Sequence, residues 1–313
     1  VLMSCLLFVM AGCSGHSKNL KFGAADIGGV YYSFASTFTQ LADKEIDGYT
    51  FETKTTAGSV ANLRLISDGY IDLAIAQADL LSDAYNATGT FADKKYQKGY
   101  KAVASLYTEC CQIVVRKDSG ITGIDDLINK TVSVGASESG SEKNAEQILK
   151  MSGITDELIN KVNMDYTEAA EKLKAGEIDA FFCTAGTRTE VIGQLSKECD
   201  ICLISLDDKC IDKMLSAYSL CEKYTIPAGT YNGQDSDVTT IGVKAVLIAK
   251  QSLSDDVIKN VTKTIYEHAD DFKYATSLDI SFDINTAADG VDIPFHSGAA
   301  AYYTERGINV LTE

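Results

Sequence analysis

Gly69-Tyr70-Ile71-Asp72-Leu73-Ala74-Ile75 and Gly176-Glu177-Ile178-Asp179-Ala180-Phe181-Phe182 follow one pattern: a glycine closing a helix-like stretch, one variable residue, Ile-Asp, then an apolar run. The glycine suits a left-handed helix C-cap, and the Asp marks the entry of a buried strand. Each copy alone has a purely structural explanation. Together they suggest two similar α/β lobes.

Outward from the first copy, strand-like Leu20–Ala25, Tyr49–Thr56, Asp72–Ala76 and Ala102–Tyr107 alternate with amphipathic Val30–Ile46, Val60–Ser67 and Asp79–Tyr85. Around the second, strands at Gln112–Arg116, Thr131–Val134, Ile178–Cys183 and Asp200–Ser205 alternate with helices at Glu142–Met151, Glu168–Lys174, Thr189–Lys197 and Asp208–Ser219. Such alternation predicts parallel sheets covered by helices. A third series follows: the loop Tyr224–Asp237, the strand Thr240–Ala249, one long helix Asp255–Phe272 and a last helix near Ser297–Arg306. Val257, Ile258, Val261, Ile265 and Ala269 give the long helix a core-packing face that returns to the first lobe. Two chain crossings, near Tyr107–Cys111 and Glu222–Val238, would then form a hinge. The expected division is a leader and tether over 1–18, a first lobe over 19–109 with 224–313, and a second over 110–223.

Four turns rich in Gly, Ser and Thr link strand-like runs to helix-like ones: Gly28–Ser33, Thr56–Ser59, Ser139–Ser141 and Thr184–Thr187. A helix start offers unpaired N–H groups and the positive end of its dipole, so turns facing one cleft could hold a small carboxylate. The alternative is that these Ser and Thr residues only cap their own helices. Tyr31 and Tyr32 project about 100° apart on a helix, so one ring is expected in the cleft and the other in the core.

The N-terminal run ends in Met10-Ala11-Gly12-Cys13 and resembles a bacterial lipoprotein signal, with Cys13 as the lipidated residue. The expectation is an extracytoplasmic protein held at the membrane by lipid alone, since no later apolar run approaches the roughly 20 residues of a membrane span. The 44 acidic against 28 basic residues give a net charge of −16, which argues against nucleic-acid binding. Beyond Cys5 and Cys13, Cys110, Cys111, Cys183, Cys199, Cys202, Cys210 and Cys221 cannot all pair within one chain, and their redox state stays open. Cys199 and Cys202 invite a zinc reading, but an odd separation on a strand sends side chains to opposite faces, so no metal site is expected.

Catalytic motifs fail one by one. No two glycines stand two apart, so no dinucleotide-binding loop exists. Gly23 and Gly28 have phosphate-loop spacing without the Lys-Ser/Thr that should follow, and Gly135-Ala136-Ser137-Glu138-Ser139 lacks the last glycine of a nucleophile elbow. The three histidines, His16, His268 and His296, have no triad motif around them.

Gly28–Tyr32, Gly58–Leu63, Ser105–Glu109, Asp179–Thr187, Tyr224–Tyr231 and His296–Tyr303 together resemble the TAXI family, the TRAP-associated extracytoplasmic solute-binding proteins. The resemblance implies a two-lobed type II periplasmic-binding fold with a cleft between lobes. Such a protein, a monomer without cofactor or catalysis, closes on a small organic anion such as glutamate, glutamine or 2-oxoglutarate and delivers it to a TRAP membrane permease. It implies Gly29, Tyr31, Tyr32, Gly58, Ser59 and Gln77 on one wall. Ser139, Gly140, Ser141, Thr184, Gly186 and Thr187 would form the other, with Glu109 at the hinge. Glu138 and Arg188 depart from the family pattern. Arg188 is either a clamp on the ligand carboxylate or a surface partner of Glu190 or Glu138. The rival readings are a sensing lipoprotein that works with a sensor kinase, and an enzyme on the same architecture.

Overall fold

The computed structural model describes residues 17–93, 98–276 and 282–313. Cys13 and its leader lie outside them. The chain opens with β1 (Lys18–Gly23), α1 (Val30–Glu45), β2 (Tyr49–Lys54), α2 (Ser59–Ser67), β3 (Leu73–Gln77) and α3 (Ala78–Asn86). Then follow β4 (Tyr100–Arg116), β5 (Thr131–Ser133), α4 (Gly140–Met151), β6 (Asn160–Val162), α5 (Tyr166–Ala175), β7 (Ala180–Ala185), α6 (Glu190–Glu198), β8 (Ile201–Leu203) and α7 (Asp208–Ala217). The last series is β9 (Cys221–Ile226), β10 (Val238–Lys250), α8 (Asp255–Glu267), α9 (Ala269–Thr276) and α10 (Ser297–Thr304).

Among the described residues the strands form one ten-stranded sheet, ordered β2-β1-β3-β10-β4-β7-β5-β6, with β8 on β4 and β9 on β10. Pairing is parallel within β2-β1-β3 and within β7-β5-β6, as the alternation of strands and helices requires. Between these blocks run β4 and β10, antiparallel to each other and to their neighbours. The two strands expected at Ala102–Tyr107 and Gln112–Arg116 are therefore one, β4. It pairs with β10 from Tyr100 to Cys110 and with β7 from Cys110 to Val115, so hydrogen bonding never lapses between them. β10 pairs with β3 over Leu73–Gln77, then with β9 over Val238–Val243. Both strands thus change neighbours at the same level, where Glu109 faces Val243.

The duplicated signature does the same work twice. Gly69 and Gly176 end their helices at φ of 83° and 75°. The Asp72 carboxylate accepts the Lys21 N–H at 2.9 Å, and the Asp179 carboxylate accepts the Thr131 N–H at 2.8 Å. Each Asp backbone N–H also donates to the same neighbour's carbonyl at 2.8 Å. The motif therefore stitches β3 to β1 and β7 to β5.

Phe34 and Phe38, one turn apart on α1, pack on Phe22 of β1, and Phe34 stacks on Phe272 of α9 at 4.4 Å. Each such buried ring stabilises by about 1.5–3 kcal/mol, which anchors the C-terminal helices on the first block. The single helix expected over Asp255–Phe272 is broken at His268, whose ring bonds Glu45 of α1 at 2.5 Å and Asp271 at 2.9 Å. A second apolar cluster, including Ile113, Val132, Ile148, Phe182 and Met214, lies under α4 and α7. The loop expected at Tyr224–Asp237 begins inside β9, and it packs on this second half: Tyr231 donates to Gln112 at 2.5 Å and accepts the Thr189 N–H at 3.1 Å. The seven described cysteines are free thiols. Among the described residues no helix is long and apolar enough to cross a membrane, and no three His, Cys, Asp or Glu side chains gather as a metal site.

Candidate functional site

Helix starts from both halves converge beside the crossing of β4 and β10. They enclose a cavity of about 30 Å³ lined by Gly29, Tyr31, Gly58, Ser59, Gln77 and Glu109 from the first half and by Ser139, Gly140, Ser141, Tyr166 and Thr184 from the second. The turns are close-packed across the cleft. A Cβ on Gly140 would stand 2.5 Å from the Gln77 amide, and one on Gly58 would stand 3.5 Å from Ser139.

The helix starts differ in how their donors are used. Gly29 and Gly58 cap α1 and α2 and bring no side-chain acceptor. Gly58 sits at φ 120°, ψ −149°, backbone that only glycine adopts readily. α4, by contrast, is capped by Ser139, whose hydroxyl accepts the Glu142 N–H at 3.0 Å. Capping thus explains Ser139, while Ser59 and Ser141 act elsewhere. Ser59 accepts the Gln77 N–H at 3.1 Å, and Ser141 accepts the Thr184 N–H at 2.8 Å and contacts the Tyr166 hydroxyl at 2.6 Å. Tyr166 in turn donates to the Thr184 carbonyl at 3.0 Å, so Ser141, Tyr166 and the Thr184 backbone close a ring of hydrogen bonds.

Glu109 is 3 % exposed and accepts a hydrogen bond from the Tyr31 hydroxyl at 2.8 Å. Burial pushes its carboxyl up to about 8, against the pull of hydrogen bonds from Tyr31 and Gln77. Asp79, at the start of α3, is also buried, and burial pushes its carboxyl up to about 6 against weaker pulls from the Leu80 N–H and Gln147. Asp26 reaches about 6 as well, through burial and then the neighbouring charge of Asp165. Among the described residues no Lys or Arg lines the cavity.

Tyr31 is the ring in the cleft, and Tyr32 packs half-buried against the apolar core. Gly186, Thr187 and Arg188 fall outside the cavity lining. Arg188 is exposed at φ 65°, ahead of Thr189, which is the α6 N-cap, so it is not in the helix's first turn. The chain turns outward there, and Arg188 faces a separate groove with Ser33, Glu190 and Lys197. Glu138 takes a different partner: Arg64 of α2 grips it with two bonds of 3.1 and 2.6 Å, and the Ala61 N–H donates to the Glu138 carbonyl at 3.0 Å. This contact joins the two halves directly. Tyr166 is a lining residue that the sequence reading did not single out. Its one local signal is Asp165 as a capping residue before a helix-like run.

Solved structures share this architecture. A periplasmic transporter protein matches at TM-score 0.56 and 15 % identity over 83 % of this chain and 86 % of that one. The binding-protein component of a phosphonate ABC transporter from Pseudomonas aeruginosa matches at 0.55 and 11 % over 83 % and 78 %. An ancestral arginine-binding protein bound to arginine matches at 0.51 and 15 % over 84 % and 98 %. At such identities the likeness establishes the fold, a mixed α/β sheet of the type II periplasmic-binding kind. The sequence itself matches a family model over residues 22–307, nearly the whole described chain, and the protein belongs to the NMT1-like family.

Proposed function

We propose that this chain is the extracytoplasmic solute-binding subunit of a TRAP transporter, tethered through a lipid on Cys13, and that it captures a small organic acid without changing it chemically. The observation that carries this reading is the convergence of the α1, α2 and α4 starts on one cavity between two halves of the sheet. Helix N-termini favour a carboxylate by position and by dipole. The family membership, the solute-binding proteins that share the fold, and the resemblance to TAXI sequences support it. The lobes are 19–109 with 244–313 and 110–243, because β9 and the loop after it pack with the second half. A cavity of about 30 Å³ has room for water but not for an amino acid, so the ligand enters by separation of these lobes about β4 and β10. Glutamate, glutamine and 2-oxoglutarate are the ligands to test.

A thermal-shift screen of amino acids, oxo acids and dicarboxylates on the protein starting after Cys13 tests the reading. A true ligand at about 100 times its dissociation constant adds about 2.7 kcal/mol of stability. Small-angle scattering should then show a smaller radius of gyration with ligand, and the ligand should be recovered unchanged at one equivalent per chain. A screen without any stabiliser overturns the proposal, and a converted ligand makes the protein an enzyme.

A further inference from the structure

Two buried acceptors face the cavity, and among the described residues no cation lines it. Gln77 is 1 % exposed, and its Oε1 has no hydrogen-bond partner among the described residues. Beside it lies Glu109, whose Oε2 takes the Tyr31 hydroxyl proton. The titratable groups that act on or with Glu109 are Tyr31 from α1, Asp79 from α3, Tyr107 on its own strand, Cys110 next to it, Tyr166 from α5 and Cys183 from β7. All are neutral or acidic. A buried carboxylate in such surroundings is costly, and a proton or a ligand's positive charge relieves the cost.

We infer that the cavity takes a ligand bearing a protonated amine, seated against Glu109 and Gln77 Oε1, and that Glu109 releases its proton to solvent as this ligand binds. The inference rests on reading the cavity as the ligand site. Without ligand, the carboxyl, raised to about 8, holds its proton at neutral pH. An ammonium brings one positive charge beside Glu109, and the departing proton takes one away, so the charge at that end of the cavity is unchanged; the ligand's carboxylate adds one negative charge at the other end. The ligand's own carboxylate is left to the starts of α1 and α2, whose glycine caps bring no side-chain acceptor. An oxo acid has no such charge to exchange, and it would set an oxygen against Gln77 Oε1, acceptor against acceptor.

Calorimetry at pH 7 in two buffers of different ionisation enthalpy, with L-glutamine and 2-oxoglutarate as probes, tests this. The expected result is that glutamine binds more tightly and releases close to one proton per chain. Glu109→Gln should bind glutamine at least about 30-fold more weakly and release none, as when a buried charge partner is removed. The wild-type result needs no variant, so misfolding of Glu109→Gln would not mask it. Glutamine binding without proton release, or tighter binding of 2-oxoglutarate, overturns the inference and leaves the solute-binding reading standing. If neither probe binds and the wider screen finds no stabiliser, the solute-binding reading fails and takes this inference with it.

Discussion

The two walls of the cleft are built from turns that look alike in sequence and work differently. On the first wall, glycine caps leave the starts of α1 and α2 without side-chain acceptors, and the acids Glu109, Asp79 and Asp26 cluster nearby. On the second, Ser139 satisfies α4, and Ser141 and Tyr166 bond each other and the Thr184 backbone, while the buried Thr184 hydroxyl has no hydrogen-bond partner among the described residues. One wall gathers buried acid beside helix starts that lack side-chain caps, while the other spends most of its hydroxyls on its own backbone. A Gly-Ser turn is therefore informative only once the destination of the serine hydroxyl is known.

If the first wall stores the titratable charge, the largest effect should appear on changing pH. Glu109, Asp79 and Asp26 hold protons more tightly folded than unfolded, so the folded state binds more protons between about pH 4 and 8, and stability falls as pH rises through that range. The ligand-free protein should lose a few kcal/mol between pH 5.5 and 8.5, read as a drop of several degrees in Tm, and most of that slope should vanish in Glu109→Gln. A flat profile would place the acids in water and erase the contrast. Next comes the Gly58 turn. Gly58→Ala forces a side chain into glycine-only backbone, which should cost about 1–3 kcal/mol by denaturant titration and weaken ligand binding as well. Ser139→Ala should cost about 1 kcal/mol of stability through the lost cap, with a smaller effect on ligand affinity than Gly58→Ala. The reverse order of affinities would show that the second wall, not the first, does the holding. Smallest is Arg64→Gln at the rim. The Arg64–Glu138 pair is a third or more exposed on both sides, so its loss should cost only about 0.2–1 kcal/mol, read as a fewfold weaker affinity that fades in high salt.

How far this contrast could be read from sequence follows from range. Gly29, Gly58, Ser139 and Gly140 announce themselves locally, because a turn that starts a helix has its own chemistry. Tyr31 could be narrowed only to a pair with Tyr32, since which ring faces the cleft depends on what covers the other. Tyr166 and the Arg64–Glu138 contact depend on segments far apart in the chain meeting across the cleft, and nothing near them in sequence says so. Sequence divides β4 in two because Thr108–Cys111 carries no apolar alternation of its own, and its two partners make it continuous. β9 is mostly exposed, which leaves it little hydrophobic pattern to mark it as a strand.

The place of β10 in the sheet also bears on how the protein is made. β3, apolar and buried along nearly its whole length, lies between β1 and β10, yet β10 is not synthesised until residue 238. As the chain emerges from the ribosome, the whole second block can assemble while the Leu73–Gln77 edge stays open. An unpaired apolar edge invites pairing with other chains, and late closure of distant strands is slow. The vulnerable interval in the life of this molecule is thus the time before β10 arrives, when the arrangement that later joins the two halves in one sheet leaves the first of them unfinished.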